Sequence, residues 1–172
     1  MTTKHGKTSG LQLGERFLSI DPEGITASER YQLLTSLVVP RPIGWISTWG
    51  DGDTPNLAPF SYFSALSHAP ILIGVSIGER STGPKDTLVN IRDRLAFCAN
   101  VVTASQIEEM NLTSAEVDAA VNEFELAGLK AESSDTVDAP YVGDCPAVLE
   151  CVLEQEVCLE SAPNTLVIGR VV

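Results

Sequence analysis

Histidine is nearly missing from this chain: there are two in 172 residues, His5 and His68. His5 falls in the polar stretch 1–10, so His68 is the one candidate for a general base. It stands before Ala69-Pro70 in a turn-like context, which suits a surface histidine better than a hydrolase triad. The four cysteines, Cys98, Cys145, Cys151 and Cys158, show no C-x-x-C spacing. With so little histidine, that pattern argues against a structural zinc site. No apolar run approaches the roughly 20 residues of a membrane helix, and residues 1–10 lack the apolar region of a signal peptide. The thiols are therefore expected to be reduced and the protein cytoplasmic. Cations are scarce too: 11 Lys and Arg stand against 23 Asp and Glu, a net charge of −12. That excess disfavours nucleic acid and anionic membrane surfaces as partners.

Against this background the cations that are present stand out. Arg80, Lys85, Arg92 and Arg94 place four of the eleven within fifteen residues. The length and the 44% apolar content fit one domain with a proper core. Residues 1–10 read as a tail, 1–27 as a tail and irregular lead-in, and 28–172 as the folded domain.

Ser28 can cap a helix running to about Val38, with Leu33, Leu34 and Leu37 on its apolar face. Pro40 and Pro42 then force extended backbone. A strand is expected over 43–49, a turn at Gly50-Asp51-Gly52-Asp53, and a return strand that Pro59 confines to an edge or a bulge. Residues 71–77 alternate as a strand. Pro84 or Asp86 starts a helix with Leu88, Ile91 and Leu95 at helical spacing, and Arg94 falls on its outer face. A strand over 95–102 follows, then two short helices from the capping-box patterns Ser105-x-x-Glu108 and Thr113-x-x-Glu116. Residues 130–146 read as a polar loop, and 147–159 and 165–172 as strands. Strands and helices do not alternate, so an antiparallel barrel or sandwich is expected, not a doubly wound sheet.

Two stretches carry candidate chemistry. Gly78 to Thr87 nearly matches the phosphate-binding pattern G-x-x-x-x-G-K-[ST], but Pro84 intervenes before Lys85 and Asp86 replaces the hydroxyl residue. Nucleoside triphosphate hydrolysis is rejected on that ground. A strand end, exposed glycine amides, a helix start and two cations still suit a phosphate, and equally a solvated loop. In 55–64, Asn56, Ser61 and Ser64 could bond the edge of a heteroaromatic ring on which Tyr62 and Phe63 pack. The same residues suit a bulged edge strand with core aromatics. Trp45 and Trp49 read as core, and Ser47 and Thr48 as strand-pairing hydroxyls.

Six ordered blocks resemble the flavin reductase-like, FMN-binding split-barrel family. They are PRPIGWIST (40–48), NLAPFSYF (56–63), PKDTL-x-NI (84–91), EFELAGL (123–129), PAVLEC (146–151) and NTLVIG (164–169). The resemblance implies a mainly β fold, a six-stranded antiparallel Greek-key split barrel with a few peripheral helices. It implies a homodimer with FMN near the seam, and a truncated C-terminal end, because the family's last strand usually continues beyond the point reached at Val172. Carried over by motif, Ser47, Thr48, Asn56, Ala58, Pro59, Ser61 and Phe63 would line the flavin ring and ribityl chain. Arg80, Ser81, Lys85 and Thr87 would take the phosphate. The activity implied is hydride transfer from NADH or NADPH to flavin, with reduced flavin supplied to a monooxygenase. A flavoredoxin-like electron carrier that uses no nicotinamide is the alternative. Such chemistry asks the protein for position and electrostatics, so no side chain is assigned a catalytic proton transfer.

Overall fold

A computed structural model of the protein describes residues 12–13 and 18–172. The tail expected over 1–10 lies outside the described residues. The chain forms two compact units, residues 1–40 and 41–172.

In the first unit, β1 (Gln12–Leu13) pairs antiparallel with β2 (Leu18–Ser19), and helix α1 follows over Ala27–Leu37. Its cap is Thr26, two residues before the expected Ser28. The Thr26 hydroxyl accepts from the Glu29 N–H at 3.2 Å, and the Glu29 carboxylate accepts from the Thr26 N–H at 2.8 Å. That reciprocal box satisfies two donors that a single serine cap could not.

The second unit is built on one seven-stranded antiparallel sheet. Its strands are β3 (Gly44–Trp49), β4 (Pro55–Phe60), β5 (Phe63–His68), β6 (Ile71–Gly78), β7 (Ala96–Asn100), β10 (Val148–Cys158) and β11 (Asn164–Val171), in the order β4-β3-β7-β10-β11-β6-β5. Helix α2 (Asp86–Arg94) joins β6 to β7. Helices α3 (Ile107–Leu112) and α4 (Glu123–Leu126) and the small hairpin β8 (Ala131–Ser133) and β9 (Pro140–Val142) lie between β7 and β10. Ile46, Phe60, Ile73, Val75, Ile77, Phe97, Cys151 and Val167, from β3, β4, β6, β7, β10 and β11, share one core. A flat sheet could not bring its first and sixth strands together, so this one curls into a split barrel.

Where Pro59 was expected to force an edge, β4 is the edge strand. The extra strand relative to the expected six is β5. Phe63-Ser64-Ala65-Leu66-Ser67-His68 shows no clean alternation, so periodicity alone gave no sign of it. The expected helix at Thr113 is absent, because Thr113 is the C-cap of α3. The 130–146 loop contains β8 and β9, strands too short for a periodic signal.

Strand β3 is buried on both faces. Ile46 points into the barrel core, while Trp45 joins Leu57, Phe124 and Val142 in a second cluster under α4 and β9. The Trp45 indole N–H donates to the Thr113 hydroxyl at 2.9 Å. Inside the barrel, Gly169 lets β11 pass the Phe97 ring. A methyl group at Gly169 would come within 2.3 Å of that ring, so even alanine forces the core apart.

Candidate functional site

The β6–α2 loop is folded back on itself. The Arg80 N–H donates to the Gly83 carbonyl at 2.8 Å and the Gly83 N–H returns to the Arg80 carbonyl at 3.2 Å. Gly83 sits at φ 125°, a conformation that only glycine adopts cheaply. Lys85 is the N-cap residue of α2, and its ammonium lies 5.7 Å from the centroid of the Phe60 ring. Arg80 Nη2 donates to Asp86 at 2.6 Å, while its Nε is buried and has no partner. Asp86 thus holds the guanidinium through Nη2 and leaves Nε without a partner.

These groups border a polar cleft whose empty space, solvent mouth included, is about 380 Å³. Of the residues expected to bind flavin, the cleft gathers Asn56, Ala58, Pro59, Arg80, Lys85 and Thr87. Two walls were not anticipated. One is the turn Thr113–Glu116 after α3, and the other is Glu123 at the start of α4.

The remaining expected residues are elsewhere. Ser47 and Thr48 are wholly buried and their hydroxyls are committed within the protein. Ser47 donates to the Pro140 carbonyl at 2.6 Å and Thr48 to Asn56 Oδ1 at 3.2 Å. Neither side chain lines the cleft; Thr48 reaches it only through Asn56, and Ser47 bonds Pro140 and Asn100 away from it. Ser81 is exposed in the folded-back loop and Ser61 is half-buried between β4 and β5. Phe63 lines a different, apolar hollow of about 950 Å³, mouth included, with Ile43, Val101, Ile107 and Met110.

Behind the cleft runs a continuous buried network. Asn90 Nδ2 donates to the Thr48 hydroxyl at 3.0 Å. Asn56 Oδ1 accepts from Thr48 and, at 3.0 Å, from Thr87. Asn56 Nδ2 donates to Glu123 Oε1 at 3.0 Å, and the Leu57 N–H donates to Glu123 Oε2 at 3.2 Å. Burial pushes the Glu123 carboxyl above its ordinary value, against the opposing pull of these donors. Glu123 opens the block EFELAGL, but the resemblance carries no binding role over to it, and by residue type it is one more acid among 23.

The other two clustered cations are tied elsewhere. Arg92 forms a bidentate pair with Glu156, Nε donating to Oε1 and Nη2 to Oε2. Arg94 bridges Asp53 at 2.7 Å and Asp138 at 3.0 Å; instead of standing free on the outer face of α2, it fastens the β3–β4 turn. The cysteines are free thiols, with Cys98 and Cys151 pushed up to about 12 by burial, so neither is a nucleophile near neutral pH.

The donor set fits a phosphorylated flavin. The unpaired Arg80 Nε and the Lys85 ammonium suit a phosphate, and strand β4 offers an edge for a ring. Comparison with known proteins agrees. An uncharacterised protein of Aquifex aeolicus is 40% identical over 124 residues, 72% of this chain and 63% of that protein, so the chain spans less than two thirds of that relative. Component B of nitrilotriacetate monooxygenase from Bacillus cereus superposes with a TM-score of 0.84 at 33% identity, over 91% of this chain and 79% of the other. A protein with a split barrel domain from Shewanella frigidimarina superposes at 0.79 and 26% identity, over 88% and 76%. The family model described as flavin reductase like domain matches residues 36–172, most of the chain, and the protein belongs to that family.

Proposed function

We propose that the protein is an FMN-binding oxidoreductase that takes a hydride from NADH or NADPH onto the flavin, acts as a homodimer, and supplies reduced flavin to a monooxygenase. The observation that carries the reading is the meeting of Asn56, Ala58 and Pro59 with Arg80, Lys85 and Thr87 around one cleft, beside an arginine donor left unpaired. The flavin, when bound, supplies the hydride-accepting chemistry. Arg80 and Lys85 hold its phosphate, Asp86 orients Arg80, and the edge of β4 orients the ring. Ser47, Thr48 and Thr87 contribute by fixing the backbone and the Asn56 amide behind the cleft. The partner monooxygenase is suggested by the name of the Bacillus cereus neighbour.

Anaerobic mixing of the FMN-loaded protein with NADH or NADPH tests the activity. Rapid loss of the flavin's yellow absorbance is the expected result. Full FMN occupancy with no bleaching by either nucleotide would replace the reductase with a flavoredoxin-like electron carrier. Failure to bind FMN at all would remove both. Light scattering tests the dimer: a concentration-independent mass near 18.4 kDa would exclude it.

A further inference from the structure

The network behind the cleft contains groups that can reverse their hydrogen bonding and groups that cannot. A threonine hydroxyl donates or accepts, and an asparagine side chain can exchange its oxygen and nitrogen by a half-turn. Thr48, Thr87 and Asn56 would therefore tolerate either orientation of the Asn56 amide. Two groups decide the matter. The Leu57 N–H can only donate, and it occupies Glu123 Oε2. The ionised carboxylate can only accept, so at Oε1 it requires the nitrogen of Asn56, not the oxygen. Asn56 Oδ1 is then left facing the two threonine hydroxyls, both of which donate to it. One Nδ2 hydrogen goes to Glu123, and the second is what the network leaves for the cleft that Asn56 borders.

We infer that Glu123 is a positioning residue for the flavin cleft: through the Asn56 amide it fixes this wall as a hydrogen-bond donor toward the acceptor groups of the bound flavin. This rests on the flavin reading above. The groups facing the carboxylate from neighbouring elements are Asp86 on α2, Arg80 and Lys85 across the cleft, and Glu116 on the turn after α3.

The test is a pair of variants examined by FMN titration and by thermal melting. In Glu123→Gln the amide oxygen can still accept from the Leu57 N–H, but the amide nitrogen calls for Asn56 Oδ1, so the Asn56 amide turns over and its Nδ2 hydrogens go to the threonine hydroxyls and not to the cleft. The double variant Glu123→Gln with Asn56→Asp restores every bond: glutamine donates to the aspartate, which still accepts from Thr48 and Thr87. The net charge is unchanged, but the amide donor at position 56 is gone. Expected are a loss of FMN affinity of about tenfold or more in the single variant, and a double variant whose melting temperature returns to the parent's while its affinity stays low. If affinity returns together with stability, or if the single variant binds FMN as the parent does, Glu123 is only structural and the inference is overturned. If the parent itself binds no FMN, the flavin reading falls and takes this inference with it.

Discussion

The two ends of α2 carry arginines that look alike in sequence and do different work. At the N-terminal end, Arg80 and Lys85 stand over a cleft, with one guanidinium donor unpaired. At the C-terminal end, Arg92 and Arg94 are matched to carboxylates from β10, the β3–β4 turn and the β8–β9 turn. The difference lies in what the acids do. Arg80 faces one carboxylate, Asp86, at the border of the cleft, whereas Asp53, Asp93 and Asp138 surround Arg94; the Nε of each arginine is buried without a hydrogen-bond partner. Positive charge that borders a cleft and faces a single acid is available to a ligand, while positive charge surrounded by acids away from the cleft serves the fold.

The largest effect should come from breaking the platform that both ends share. Ile91 is fully buried in the barrel core from the middle of α2. Ile91→Ala should lower stability by about 2–5 kcal/mol in a denaturant titration. Next, Arg80→Ala or Lys85→Ala should weaken FMN binding by about 10- to 100-fold, the worth of one charge-assisted hydrogen bond. Riboflavin affinity should hold, since riboflavin lacks the phosphate. Equal weakening of both flavins would mean that these cations act on the ring or on the fold.

A smaller effect concerns the acid on the cleft side. The Glu123 carboxyl is raised in the folded state above its ordinary 4.5, so just above that pH the native protein holds more protons than the unfolded chain. Its contribution must therefore weaken as pH rises from about 4.5 through the folded-state value, then level off. Denaturation midpoints of the parent and Glu123→Gln, measured from acid to neutral pH, should converge or diverge only in that window. The smallest effect is expected at the other end: Arg94→Ala should lower the melting temperature slightly and leave both flavin affinities untouched. A drop in FMN affinity there would erase the distinction between the two ends.

Much of α2 was legible because its signals are local: a proline-lysine-aspartate start, then Leu88 and Ile91 one turn apart. Its end was less so. Leu95, which continues the helical spacing, is the C-cap at φ 55° with its side chain exposed. The long strands β10 and β11 could be read from alternation, and β5, β8 and β9 could not. For the cleft, the cationic loop and the Asn56–Pro59 segment were visible as residue types suited to a ligand. Glu123 and Thr113 were not, because each gains its meaning from a partner far away in sequence, Asn56 in one case and Trp45 in the other. The buried state of Ser47 and Thr48 was equally hidden, since it depends on β9 and α2 closing over β3.

The strand order β4-β3-β7-β10-β11-β6-β5 also sets a timetable for synthesis. When Asn100 has left the ribosome, the chain can form β3–β4 with β7, and separately the β5–β6 hairpin. No ladder joins these two pieces until β10 and β11, residues 148–171, slot between them. Until then β7 and β6 each present an open edge, which is the exposure that invites pairing with a neighbouring nascent chain. The acid that braces the cleft emerges 66 residues after Leu57, and the barrel behind it closes later still. A ribosome stalled before β10 would therefore hold two half-sheets and no finished cofactor site.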